Sequence, residues 1–122
     1  MSDPSWPDRL FVYGTLRPGD TAWHRIEPHV VGEPVATRLP GTLYDTGLGY
    51  PALTLDSAGT VPGWTIRLRA PAAALAELDE YEGVEYMRVR VVDSTGLSCW
   101  TYLWTAPVAG MVRLAHGWPD QV

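Results

Sequence analysis

Two segments near the end of the chain alternate with a period of two, as half-buried strands do. In residues 86–93, Met87, Val89 and Val91 fall on one side and Tyr86, Arg88 and Arg90 on the other. In residues 98–105, Trp100, Tyr102 and Trp104 form one face and Cys99, Thr101 and Leu103 the other. The loop Ser94-Thr95-Gly96-Leu97 joins them. Both faces of the second segment are largely apolar, as in a sheet closed into a barrel or covered on both sides. Earlier strands are expected at Leu10 to Tyr13, Gly41 to Tyr44, a run entered from Gly49-Tyr50-Pro51, and Val61 to Leu68. Pro62-Gly63 interrupts the last of these and suggests an edge or a bulge. A short helix is expected around Thr21 to His29, with Asp20 or Thr21 as N-cap.

The clear helix runs from Pro71 to Glu82, with Pro71 in the first turn and Gly83 just past the end. Its buried stripe is set by Leu75 and Leu78. Glu82 lies seven residues past Leu75 and four past Leu78, so it falls on that stripe, and Asp79 lies close to it. Glu77 and Glu80 take the opposite, solvated side. An inward carboxyl at a helix C-terminus is disfavoured by the helix dipole and again by burial. An ion pair to Arg88 or Arg90, or a hydrogen bond to a Tyr or Trp, would account for Glu82. A carboxyl of raised pKa in a cleft is equally what a general acid–base needs near neutral pH. For Asp79 the ordinary reading is a bond to a loop N–H.

The run Phe11-Val12-Tyr13-Gly14-Thr15-Leu16 supplies a second site feature. A buried strand that breaks at Gly lets backbone N–H groups approach a ligand, because no Cβ blocks the way. Such a turn can present several donors to an anion or to a carbonyl under attack. Arg17 follows directly. It reads as a solvated side chain, with contact to a ligand carboxylate as the alternative.

Bulk composition narrows the rest. The 122 residues suit one domain, 1–122, with residues 1–8 as a polar, loosely ordered lead-in. Strands and helices together give a mixed α/β (α+β) fold. It is a small, mostly antiparallel, barrel-like sheet of about six strands with one or two flanking helices. A formal charge of −5 argues against binding to nucleic acid or anionic membrane. The N-terminus lacks a signal-peptide pattern and no run is long enough to span a membrane, so a soluble cytoplasmic protein is expected. The lone Cys99 excludes an internal disulfide and reads as a small buried hydrophobe. His24, His29 and His116 have no metal-ligand spacing, and no phosphate loop or nucleophile elbow is present. No metal or other cofactor is expected.

With the turn and the inward Glu82 in hand, the chain resembles the γ-glutamylcyclotransferase-like superfamily, and more narrowly its AIG2-like branch. The resemblance is carried by Tyr13-Gly14-Thr15-Leu16, Gly41-Thr42-Leu43-Tyr44-Asp45 and Gly49-Tyr50-Pro51-Ala52. It continues in Val61-Pro62-Gly63, Leu78-Asp79-Glu80-Tyr81-Glu82-Gly83, Tyr86-Met87-Arg88-Val89 and Trp100-Thr101-Tyr102. It implies a small β-barrel with flanking helices and a cavity at one end. The turn Tyr13 to Leu16 is then expected to hold a γ-glutamyl group through backbone donors, with Glu82 as catalytic acid–base. Tyr86 is a candidate hydrogen-bond partner of substrate or of Glu82, or a rim aromatic. The implied reaction is intramolecular: the α-amine of a small γ-glutamyl substrate attacks its own γ-carbonyl and releases 5-oxoproline and an amine. Two alternatives stay open. One is an enzyme that removes a γ-glutamyl protecting group from a biosynthetic intermediate, and the other is a binding module that keeps the cavity without catalysis.

Overall fold

The computed structural model describes residues 6–119. Eight strands and two helices follow the chain: β1 Arg9–Val12, α1 Trp23–Ile26, β2 Val30–Pro40, β3 Thr42–Asp45, β4 Pro51–Thr54, β5 Thr60–Leu68, α2 Pro71–Glu82, β6 Tyr86–Val92, β7 Ser98–Trp104 and β8 Val112–Arg113. A 3₁₀ turn, Glu27–His29, continues α1. The strands form a five-stranded sheet in the order β2-β5-β1-β7-β6 and a three-stranded sheet in the order β4-β3-β8. This is the expected mixed α+β architecture. The sheets curl around a shared core, and their ladders stay separate instead of closing into one ring among the described residues. No helix of the described residues is long and apolar enough to cross a membrane.

Strand β1 sits at the centre, antiparallel to β5 and parallel to β7. Its alternating side chains serve two cores. Leu10 and Val12 pack with Ile26, Ile66, Leu75, Leu78 and Tyr102 under the helices. Phe11 and the following Tyr13 pack with Leu39, Leu43, Leu53 and Cys99 toward the small sheet. The two apolar faces of β7 are explained in the same way: one is covered by helix, the other by sheet. Helix α2 buries Ala74, Leu75 and Leu78. Burial pushes the Cys99 thiol up to about 12, with Asp93 adding to the effect, so it stays a protonated core group.

Several expectations are corrected. Asp20 does not cap α1; Ala22 holds that position without a side-chain bond, and Asp20 accepts instead from Thr21 N and from Arg17. Pro62-Gly63 marks neither an edge nor a bulge, because β5 runs unbroken between β2 and β1. Pro62 is tolerated for a local reason. Its partner Arg38 turns its own N–H and carbonyl to Ser94, and the β1 ladder ends earlier at Trp64. No neighbour therefore needs the missing donor. Gly63 is required by close approach: a Cβ there would lie 2.5 Å from both Phe11 Cζ and the Val12 carbonyl. The lead-in expected over residues 1–8 falls outside the described residues for 1–5. The remainder is tied down, since the Pro7 carbonyl accepts from Trp100 Nε1 (3.0 Å) and Asp8 O from Leu68 N (2.7 Å).

The long strand β2 and the short β8 carry no simple alternation. In β2 the register shifts between Val31 and Val35, with Gly32 and Pro34 inside the irregularity. Replacing Gly63 by Ala is expected to destabilise the protein by about 1–3 kcal/mol, because the nearest atoms are backbone and a packed ring. Urea unfolding of the Gly63→Ala protein measures this, and an unchanged midpoint would contradict the packing described.

Candidate active site

The central strand delivers its C-terminal end to a narrow cleft. Phe11 to Leu16, Tyr50, Pro51, Glu82, Tyr86 and Tyr102 line it, and its water-accessible space is about 30 Å³. The turn is held tightly. A Cβ on Gly14 would come within 2.7 Å of Pro51 Cγ, so only glycine lets the turn lie against β4. Arg17 N bonds to the Gly14 carbonyl (3.1 Å) and Ala22 N to that of Thr15 (2.9 Å). Among the described residues, the N–H groups of Gly14, Thr15 and Leu16 take no protein acceptor. All three residues line the cleft.

Glu82 closes the opposite side from the last position of α2, before Gly83 (φ 77°) ends the helix. Its side chain is partly buried and makes no hydrogen bond or ion pair among the described residues. Burial alone pushes its carboxyl from 4.5 to about 7. The ion pair that would have explained an inward Glu is made by its neighbour instead. Asp79 receives Arg88 Nε at 2.9 Å and Arg88 Nη2 at 3.1 Å, and also the Tyr102 hydroxyl at 2.7 Å. Partial burial raises the Asp79 carboxyl, but the bonds from Arg88 and Tyr102 outweigh it and hold the group below the usual carboxylate value. Arg90 lies over the Trp100 ring, 5.4 Å from its centroid.

Tyr86 lines the cleft, yet its hydroxyl proton goes to the Pro51 carbonyl (2.6 Å), not to Glu82. Burial first, then the charge of Glu82, pushes its phenol far above the ordinary tyrosine value, so it stays protonated. Its ring packs edge-on to Trp104 (5.3 Å between centroids) and near Tyr50 (6.2 Å). The sequence reading did not single out Tyr50, Pro51 or Tyr102 as site residues. Tyr102 shares a face with Trp100 and Trp104 and reads as core; only the Asp79 contact across to α2 distinguishes it. Arg17 is mostly buried and not a solvated side chain. It gives Nε to the Gly14 carbonyl (3.0 Å), Nη1 to the Trp118 carbonyl (2.7 Å) and Nη2 to Asp20 (2.7 Å), tying the turn to the chain's C-terminal segment.

A wider vestibule of about 310 Å³ adjoins the cleft, lined by Thr15, Thr21, Gly49, Tyr50, Tyr81, Glu82 and Tyr86. Glu82 borders both spaces. Open N–H donors, an undonated carboxyl and an outer space for a second group together form a site suited to acyl chemistry on a small amide.

Residues 10–120 match the model of the family "Gamma-glutamyl cyclotransferase, AIG2-like". The chain belongs to that family. It is 31% identical over 103 residues to the γ-L-glutamyl-butirosin B γ-glutamyl cyclotransferase of Niallia circulans. That alignment takes in 78% of this chain and 65% of the relative, so the chain spans about two thirds of that protein's length. Among solved structures, protein ytfP from Escherichia coli is 31% identical, with a TM-score of 0.63 and coverage of 90% of this chain and 94% of that one. An uncharacterized protein from Pyrococcus horikoshii, 19% identical, shares the fold with a TM-score of 0.71 over 88% of this chain and 85% of its own.

The raised carboxyl has a stability consequence. The folded protein holds the Glu82 proton more tightly than the unfolded chain does. The stability this contributes is therefore full below about pH 4.5 and is lost as pH rises through about 7. Glu82→Gln, which cannot ionise, is expected to match the parent near pH 4.5. At pH 8 it should be the more stable by an amount on the order of 2 kcal/mol. Thermal melts of both proteins at the two pH values test this, and a variant less stable at pH 8 contradicts it.

Proposed function

We propose that the protein is a γ-glutamyl cyclotransferase, with Glu82 as its acid–base and the Tyr13 to Leu16 turn as the holder of the γ-glutamyl group. The observation that carries this reading is one cleft lined both by a carboxyl without any donor and by a turn whose backbone N–H groups take no acceptor among the described residues. In the proposed reaction the substrate's α-nitrogen attacks its own γ-carbonyl carbon. Glu82, as carboxylate, takes a proton from that nitrogen. The new N–C bond closes a five-membered ring while the carbonyl oxygen gains negative charge, which the N–H groups of Gly14, Thr15 and Leu16 stabilise. One such donor is worth about 2.7–4 kcal/mol in acyl transfer. Glu82 then returns its proton to the departing nitrogen, the amide C–N bond breaks, and 5-oxoproline and an amine leave. The nucleophile is tethered to its target, so no covalent enzyme intermediate is required.

A carboxyl near pH 7 suits both halves of this cycle, since it can be gained and lost at neutral pH. Burial supplies that value, and an exposed glutamate would be too weak a base. Family membership and the resemblance to the Niallia circulans cyclotransferase support the same chemistry. That relative's name, a cyclotransferase for a γ-glutamyl-butirosin, also favours a second reading in which the leaving amine is a biosynthetic intermediate being deprotected. The vestibule bordering Glu82 is where the leaving amine would sit in either case.

Glu82→Gln is expected to reduce 5-oxoproline release from γ-glutamyl amides by about 10²- to 10⁴-fold while keeping the fold. In the parent protein, kcat/KM should rise with pH through about 7 as Glu82 ionises. Full activity in the Gln variant would sink the mechanism. A panel of γ-glutamyl amino acids and bulkier γ-glutamyl amines, assayed for 5-oxoproline, separates the two readings. A strong preference for bulky amines supports deprotection.

A further inference from the structure

Four phenols stand at the cleft that Glu82 borders, and three of them have already given away their one proton, while the Tyr50 hydroxyl makes no hydrogen bond among the described residues. Tyr13 Oη donates to the Tyr102 carbonyl. Tyr86 Oη donates to the Pro51 carbonyl, and Tyr102 Oη to Asp79 Oδ1. A phenol has a single O–H, so none of the three donates to Glu82 in this arrangement. The other titratable groups that share a space with Glu82 are Tyr50, from the loop before β4, and Tyr81, beside it on α2, with Asp79 one turn earlier on the same helix. Arg88, a cation on β6, is held by Asp79 through two bonds.

The three acceptors differ in kind. Two are main-chain carbonyls at strand termini or within ladders, which the fold fixes in any case. The third is a side chain, three residues before Glu82 on the same helix. Without it the Tyr102 hydroxyl loses this acceptor, and Glu82, whose carboxyl has no donor among the described residues, lines the same cleft and lies close enough for its charge to act on the Tyr102 phenol. A hydrogen bond donated to a carboxylate favours its charged form and weakens it as a base.

We infer that Asp79 is a positioning residue that holds the Tyr102 hydroxyl proton, with Arg88 completing the pair, and so keeps that proton off Glu82 and leaves its carboxyl able to take one from substrate. This rests on the proposed role of Glu82 and deepens it. Arg88 has a double effect: it fixes the Asp79 carboxylate toward Tyr102 and spends its own charge there, away from Glu82.

The test reads Glu82 directly, by carboxyl ¹³C NMR titration of the ligand-free protein, so it needs no turnover. Asp79→Ala removes both the acceptor and a negative charge. Asp79→Ala/Tyr102→Phe removes the same charge and the phenol proton as well. Comparing these two isolates the proton from the charge. The single variant is expected to bind the Glu82 proton at least about threefold more weakly than the double variant. Asp79→Asn keeps an acceptor for Tyr102, so adding Tyr102→Phe to it should leave the Glu82 midpoint unchanged. In turnover, kcat of Asp79→Ala should fall and be partly restored by Tyr102→Phe, with KM little altered. Should Asp79→Ala not fold, Asp79→Ser gives the same comparison, its side chain being too short to take up the phenol. Equal Glu82 midpoints in the single and double variants overturn the inference. Activity in Glu82→Gln with unequal midpoints would instead remove the catalytic reading and leave the proton-holding arrangement standing.

Discussion

Everything in this fold depends on β1 being buried on both faces. Leu10 and Val12 anchor the helical layer, while Phe11 and Tyr13 anchor the small sheet. A strand so placed cannot move without disturbing two cores, which makes its end a rigid platform. The turn that follows is clamped against Pro51 at a distance only glycine permits, and Arg17 bolts it to the Trp118 carbonyl. Backbone donors held this firmly keep their direction without a further ordering cost, which is the condition for stabilising charge that appears only in a transition state.

The acid side of the cleft follows a different logic. The end of a helix is an unfavourable place for negative charge, and a buried one more so. Two acids, Asp79 and Glu82, stand one helical turn apart at this end of α2, with Arg88 as the cation beside Asp79. Geometry gives Arg88 to Asp79 in a bidentate grip that a single guanidinium cannot make twice. The two carboxyls diverge: bonds from Arg88 and Tyr102 hold Asp79 low, while burial alone pushes Glu82 up to about 7. One is tied into the fold around the site, and the other makes no bond among the described residues. Divergent environments for neighbouring acids are a common route to an acid–base residue.

The parts of the molecule legible in the sequence are those with clean periodicity. Helix α2 appears with its exact bounds because Pro71, the Leu75–Leu78 stripe and Gly83 agree with one another. Strands β6 and β7 appear through their alternation. Strand β2 was hidden, since a bulge at Gly32 to Pro34 breaks the period and its outer position leaves much of it exposed. The two-residue β8 carries too little pattern to detect. Of the cleft, Tyr13 to Leu16, Glu82 and Tyr86 could be picked out from local features and from a family resemblance. Tyr50, Pro51 and Tyr102 could not, because what places them is long-range contact: Pro51 against Gly14, Tyr102 against Asp79. Arg17 was misread for the same reason, as its partners at Trp118 and Pro119 lie about a hundred residues away.

The inner cleft and the vestibule are built from different material. The cleft takes its walls from the end of β1, the start of β4 and the ends of α2 and β6, all of which are held by ladder bonds or core packing. The vestibule adds Thr21, Gly49 and Tyr81, from two loops and the outer face of α2. Substitutions at those three positions change the shape of the outer space without touching a strand ladder or either core. Such a division lets the outer space be reshaped from the surface, through two loops and one helix face, while the inner cleft keeps its form.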